Sequence, residues 1–201
     1  MIPVPSLPEE QLQEMKERFD SLLRGTEREG VEALLAWLES TDFYAAPASA
    51  SRHGAVVGGL VLHSLEVYKY MQNFCKPIEA VTPPDSIVIS ALLHDICKVN
   101  FYGKRVRNVK IPGERRWEEH ESFCIEDQFP LGHGEKSLFL AQRHLQLSED
   151  EALAIRWHMG GFDDAARAYA GGKSLAEAYE RCKLAVALNL ADMYVANMVG
   201  Y

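Results

Sequence analysis

The chain has 201 residues, 47% hydrophobic and 25% charged, which suits one folded unit with a sizeable core and excludes a disordered polymer. The longest apolar stretch, about Leu184 to Val199, is broken by Asn189, Asp192 and Asn197, so no membrane span is expected, and the N-terminus does not read as a signal peptide. A net charge of −8 argues against a binder of duplex DNA, and four scattered cysteines without a CxxC pair argue against a disulfide framework or zinc knuckle, so a reduced cytoplasmic protein is expected.

Ser6 to Glu9 reads as a capping box with Pro8 in the first turn, followed by Leu12, Met15, Phe19, Leu22 and Leu23 at helical spacing up to Gly25. A second helix carries Val31, Leu34, Leu35 and Leu38. These two predict a helical hairpin over 1–45 packed on a main body over 46–201, the whole forming a single domain over 1–201. Small residues and Pro47 make Tyr44 to Arg52 a loop. A long helix is predicted from about Val56 to Phe74, and Pro84 opens another that leads into His94 and Asp95. Between Phe101 and Phe129 the pattern changes: Val106, Val109 and Ile111 flank a Pro-Gly turn, and Trp117, Phe123 and Ile125 follow, which predicts a β-hairpin. Helices resume near Glu135, and Ser148 to Glu151 and Ser174 to Glu177 read as two more capping boxes.

The chemistry lies in polar residues set in apolar surroundings. ALLHDICK ends an apolar helix on His94 and Asp95, where unpaired polar groups are costly. His63 sits in GGLVLHSLEV, and Asp192 in VALNLADMYVANM, a helix apolar on several sides. An isolated carboxylate there needs a partner or a cation. His133 in PLGHGEKS and His158 in AIRWHMGG are further candidates, and imidazole with carboxylate is a donor set for Mn, Fe, Ni, Co or Zn. Taken singly, a histidine on an apolar helix is more often a satisfied core residue. Lys104, Arg105, Arg107, Lys110, Arg115 and Arg116 crowd into thirteen residues with one acid, Glu114, which suits a small anionic substrate or a solvated hairpin.

In its order His…His-Asp…Asp the sequence resembles the HD metal-dependent phosphohydrolase superfamily from about Ser51 to Ala196. GGLVLH, LLHDICK, LGHGE and LADMYVA are similar to segments of the HD domain of bacterial 3′-to-5′ exoribonucleases, and RNVK, FPLGHGEKS and AIRWHMGG to segments of small bacterial and phage HD hydrolases. The resemblance implies an all-α HD-domain bundle with a small β-hairpin excursion. It assigns one metal to His63, His94, Asp95 and Asp192, and in the six-ligand subgroup a second to His133 and His158, with Asp95 bridging. Two divalent transition ions are therefore expected, Mg also being admissible, with attack by a metal-activated water on a phosphoester. Cys97 departs from the family's frequent Gly in HDxGK, and the chain lacks the oligonucleotide-binding domain of the exoribonucleases.

Lys98, matching the HDxxK lysine, and Lys136 are expected to act beside Asp95 on phosphate oxygens. Arg105, Arg107 and Lys110 are expected to form a substrate-binding lid, and His53 to reach a substrate oxygen or else be a plain loop residue. Glu135 is a candidate proton relay. His120 and His144 read as surface residues, and Trp157 as core. The expected partner is a small phosphorylated molecule, a nucleotide above all, with short single-stranded nucleic acid also admissible. Two competing readings are a mixed-valent diiron oxygenase of the myo-inositol oxygenase type and a non-catalytic nucleotide sensor.

Overall fold

The computed structural model describes residues 1–78 and 82–199. Helix α1 (Glu9–Arg24) buries Met15, Phe19 and Leu23 along one face, as their spacing predicts. Its N-cap is Pro8, not Ser6. The Ser6 hydroxyl bonds the Leu7 carbonyl instead, because residue 6 is drawn into a β-bridge with Val57. Helix α2 (Val31–Glu39) starts after Gly30, whose φ of 90° favours glycine and where a Cβ would lie 1.9 Å from the His144 carbonyl oxygen.

Helix α3 (Gly59–Phe74) begins three residues later than the sequence suggests, after Gly58 at φ 83°. Helix α4 (Pro84–Leu93) runs to His94 and gives way to a short 3-10 turn, Ile96–Lys98. Strands β1 (Tyr102–Lys110) and β2 (Trp117–Ile125) form an antiparallel hairpin, in register from Tyr102↔Ile125 to Lys110↔Trp117. Ile2 bonds to Glu119 and Glu121, so the N-terminal segment covers the outer edge of β2. Helices α5 (His133–Gln142), α6 (Glu149–Trp157), α7 (Tyr169–Arg181) and α8 (Lys183–Met198) complete the bundle. The expected all-α architecture with one β excursion is what the chain adopts. Among the described residues no helix is long and apolar enough to cross a membrane.

The two later capping boxes part company. Ser148 and Glu151 exchange both side-chain-to-backbone bonds and start α6. Ser174 lies inside α7, where its hydroxyl bonds back to the Ala170 carbonyl at 3.1 Å. The pattern is the same, but the helix had already begun at Tyr169.

Two apolar clusters set the frame. In the first, Phe19 of α1 and Leu34 and Leu38 of α2 pack with Leu60 of α3 and Leu92 and Leu93 of α4, each fully buried. Each such side chain contributes roughly 1.5–3 kcal/mol of burial. In the second, Leu184, Ala185, Leu188, Ala191 and Val195 of α8 meet Val67 and Met71 of α3 and Ala154 of α6. The small alanines let α8 approach closely, which carries Asp192 towards α3. Arg28, between α1 and α2, reaches the main body through Glu151 Oε1 at 2.8 Å and Asp85 Oδ2 at 3.1 Å, with Ser86 Oγ donating to Glu151 at 2.7 Å.

Candidate metal centre

The centre is built where five helices meet around Asp95. His63 projects from the buried face of α3, His94 and Asp95 follow α4, His133 opens α5, His158 ends α6, and Asp192 sits on α8. His63, His94 and His158 are fully buried, and Asp95 is 2% exposed. The bend from α4 into the 3-10 turn at Asp95 (φ −111°, ψ 15°) places successive polar residues on one side, which a continued α-helix would not do.

The two oxygens of Asp95 face different histidines. Oδ2 lies 3.5 Å from His63 Nε2 and 3.5 Å from His94 Nε2. Oδ1 lies 2.7 Å from His133 Nε2 and 3.6 Å from His158 Nε2. On the first side Asp192 Oδ1 is 3.1 Å from His63 Nε2 and 3.9 Å from His94 Nε2, and the two imidazole nitrogens are 3.2 Å apart. Nitrogen and oxygen ligands at about 2.0–2.2 Å from one ion lie about 3–3.5 Å from each other, so this spacing suits a shared cation.

Tautomers support the same conclusion. His94 Nδ1 donates to the Ala91 carbonyl at 2.8 Å, and His158 Nδ1 to the Ile155 carbonyl at 2.7 Å. A carbonyl only accepts, so each Nε2 carries a lone pair turned into the centre. His158 Nε2 is one of two buried polar side-chain atoms among the described residues with no hydrogen-bond partner. Such an atom costs about 1–3 kcal/mol unless something occupies the space it faces. The donor set therefore fits a metal, and three groups of its side chains meet ligand spacing: His63, His94 and Asp192; His94, Asp95 and His158; and Asp95, Cys97 and His133.

Electrostatics keep His94, Asp95 and Asp192 in binding form, whereas His133, against its burial, is raised to about 10 by the neighbouring Cys97 and by its bond to Asp95. Burial pulls the His94 imidazole down to about 3, so it is neutral at pH 7. Burial works against the Asp95 carboxylate, but Lys98, His94 and a bond from His133 hold it well below the usual range. Burial likewise opposes ionisation of Asp192, yet the bond and charge of His63 keep it low. Lys98 Nζ sits 2.5 Å from Asp95 Oδ2.

The centre opens into a cavity of about 250 Å³ whose lining includes His53, Lys98 and His133. His53 stacks obliquely 5.3 Å from His63, and burial, followed by the neighbouring His63, lowers its pKa to about 4. Its loop rests on the start of α3, where a Cβ at Gly59 would come within 2.1 Å of the Gly54 carbonyl oxygen. Other expected residues lie elsewhere. Lys136 is buried with its ammonium 2.6 Å from Asp127 and 5.1 Å above the Phe101 ring. Arg105, Arg107 and Lys110 are exposed on β1, and none lines the cavity. Glu135 pairs with Arg156, which also holds Asp163 at 2.7 Å. His120 is part-exposed beside Glu118, His144 stacks on Trp37, and Trp157 is buried.

The cavity also contains residues the sequence reading passed over. Arg52 lines it and forms no ion pair with a described residue, and Asn189 and Asn197 reach it from α8 on either side of Asp192. Asn189 Nδ2 donates to the His158 carbonyl at 2.6 Å. Outside the cavity lining, Tyr102, at the base of β1, donates to the Ala48 carbonyl at 3.3 Å; burial pushes its phenol to about 12 against the pull of Lys98. The adjacency of Arg52 to His53 was the one signal available for Arg52.

A family model described as HD domain matches residues 60–197. Searches of curated proteins and of solved structures returned no match. The match spans most of the chain and encloses Asp95 and the five histidine and aspartate residues gathered around it. The chain therefore belongs to the HD-domain family, as a metal-dependent phosphohydrolase.

Proposed function

We propose that the protein hydrolyses a phosphoester of a nucleotide or other small phosphorylated molecule at a binuclear site. The observation that carries this reading is the division of Asp95, with Oδ2 turned to His63 and His94 and Oδ1 to His133 and His158. One ion would be held by His63, His94, Asp95 and Asp192, and another by Asp95, His133 and His158. The mixed imidazole and carboxylate donors favour Mn, Fe, Co, Ni or Zn over Mg. Bound ions supply a nucleophilic water at neutral pH and neutralise charge on the phosphoryl oxygens.

The chain's own residues supply the rest. Lys98, fixed on Asp95 at the cavity wall, offers its remaining N–H groups to a phosphoryl oxygen. Arg52, unpaired among described residues, offers a planar fork to the same group. His53, neutral near pH 7, hydrogen-bonds a substrate oxygen. The cavity volume suits a phosphate with part of a nucleoside better than a long strand. The exposed cations of β1 stand outside it, where they serve solubility or long-range attraction of an anion.

The test is metal analysis of protein purified without added metal, with turnover of bis-p-nitrophenyl phosphate, p-nitrophenyl phosphate, nucleotides and a short RNA in Mn²⁺. About two transition-metal equivalents with diester or nucleotide turnover are expected. Two equivalents of iron, oxygen consumption and no phosphoester turnover would refute the reading in favour of an oxygenase. Tight nucleotide binding without turnover would make the protein a sensor.

A further inference from the structure

The centre opens on two sides. Beside the cavity of about 250 Å³ lies a second of about 280 Å³, and His133, Met159 and Phe162 line both. Phe162 is thus part of the wall between them, on a 3-10 turn, Gly160–Phe162. A Cβ on Gly160, at φ 53°, would meet Asn189 Nδ2 and the Tyr179 hydroxyl at 2.8 Å, so the turn sits directly against α7 and α8. On the other side of the ring, Asp163 Oδ1 accepts from the Ala165 N–H at 2.8 Å and Oδ2 from Arg156 at 2.7 Å. The backbone is held at both ends, yet the ring is 65% exposed. A single exposed phenylalanine is ordinary. This one divides two cavities that share His133.

The two sides differ in charge. The first presents Arg52 and Lys98, with the amides of Asn189 and Asn197. The second is lined by Glu135, Asp163 and Asp164, and among the described residues no lysine or arginine joins them. Arg156, outside that lining, pairs with Glu135 and Asp163, and Asp164 reaches the exposed Arg167 at 3.1 Å. Carboxylates accept hydrogen bonds from hydroxyl groups and repel phosphate. Each cavity alone falls short of the roughly 300–1,000 Å³ of a small-molecule site, and only the two together reach that range.

Resting on the phosphohydrolase reading above, we propose that the substrate is a phosphodiester joining two nucleosides, which straddles Phe162. Its phosphate lies at the centre, within reach of Lys98 and Arg52. One nucleoside occupies the cavity of Asn189 and Asn197. The other, which carries no charge, occupies the carboxylate-lined cavity, where its sugar hydroxyls donate to Asp164 and a base stacks on Phe162. In the reaction the water oxygen bonds to phosphorus as the P–O bond to one nucleoside breaks. That nucleoside leaves as the free alcohol with a proton from the water, and the other keeps the phosphate. A nucleoside triphosphate fits less well, since its phosphate chain would have to enter the acidic side or crowd the first cavity.

The experiment measures turnover of adenylyl-(3′→5′)-adenosine, AMP and ATP by the Mn²⁺-loaded full chain. Alongside it, calorimetry follows binding of the dinucleoside analogue with CH₂ in place of its 5′ bridging oxygen. The kcat/KM for the dinucleoside is expected to exceed those for AMP and ATP at least about tenfold, the worth of a second stacked base. Phe162→Ala is expected to lose about tenfold in that kcat/KM and in analogue affinity, at unchanged metal content, and Phe162→Tyr to retain both. The wild-type ranking tests the proposal even if a variant misfolds. AMP or ATP turned over as well as the dinucleoside, or analogue affinity unchanged in Phe162→Ala, refutes the straddling substrate and leaves hydrolysis at the centre standing. Turnover of bis-p-nitrophenyl phosphate but of none of the three nucleotides refutes the dinucleoside alone. Turnover of none of the four refutes both readings.

Discussion

Stripping the metal should loosen the whole bundle. The ligand atoms come from α3, the end of α4, α5, α6 and α8, so an ion binds only the folded arrangement and stabilises it by mass action. At free metal a hundredfold above Kd, one ion contributes about 2.7 kcal/mol. For a chain of this length each kcal/mol corresponds to roughly 2–4 °C in Tm, giving about 5–11 °C for one ion. Each further tenfold of free metal adds about 1.4 kcal/mol per site, so Tm should climb steadily with concentration. Melting by circular dichroism in chelator, then across a Mn²⁺, Co²⁺ and Zn²⁺ series, reads this directly. His158→Ala should keep the increment from the His63 side and lose the other. A Tm indifferent to all three metals would show that the buried imidazoles and carboxylates satisfy one another without a cation, and the assignment of the centre would fall.

Arg52→Ala should raise KM for a phosphorylated substrate about tenfold, the loss of one charge-assisted contact, with kcat changed less than about twofold. Arg107→Ala, on the exposed strand outside the cavity, should leave both constants unchanged. Arg28→Met strands the buried Glu151 carboxylate and should cost about 3 kcal/mol in urea unfolding at pH 7. Burial raises the pKa of Glu151, but bonds from Arg28, the Ser148 backbone and Ser86 outweigh it and lower it below 4.5. Its contribution is thus complete above about pH 4.5 and lost as pH falls through the lower folded value, so Arg28→Met should flatten the acid limb of the stability curve. Gly59→Ala drives a Cβ against the Gly54 carbonyl; a loss of about 1–3 kcal/mol in urea unfolding and a higher KM, from displacement of His53, are expected together.

What the sequence shows and what it hides have separate physical causes. Periodicity in α1, α2 and α4 is local, and the burial of Phe19, Leu34 and Leu92 follows from it without knowledge of the partners. Helix starts are less local. Ser148 and Ser174 head the same S-x-x-E pattern, yet only the first caps a helix, because the chain before Ser174 is already helical from Tyr169. The histidines and aspartates of the centre stand out in one dimension because apolar neighbours give a polar group nowhere else to go.

Cations behave differently, since a lysine or arginine takes its role from whichever acid it meets first. Charge density along the chain drew attention to Arg105, Arg107 and Lys110, but a two-stranded ribbon holds such residues in water on both faces, and they line no part of the cavity. Lys136 lies three residues from His133, close to one helical turn, yet Asp127 lies within reach and takes it, beneath Phe101 and Phe129. Arg52 has no sequence feature beyond its neighbour His53. It matters because the loop before α3 folds over the metal ligands and leaves it without an acid among the described residues. The useful cation in such a site is the one whose charge the fold leaves unspent, and that depends on long-range pairing which no local pattern encodes.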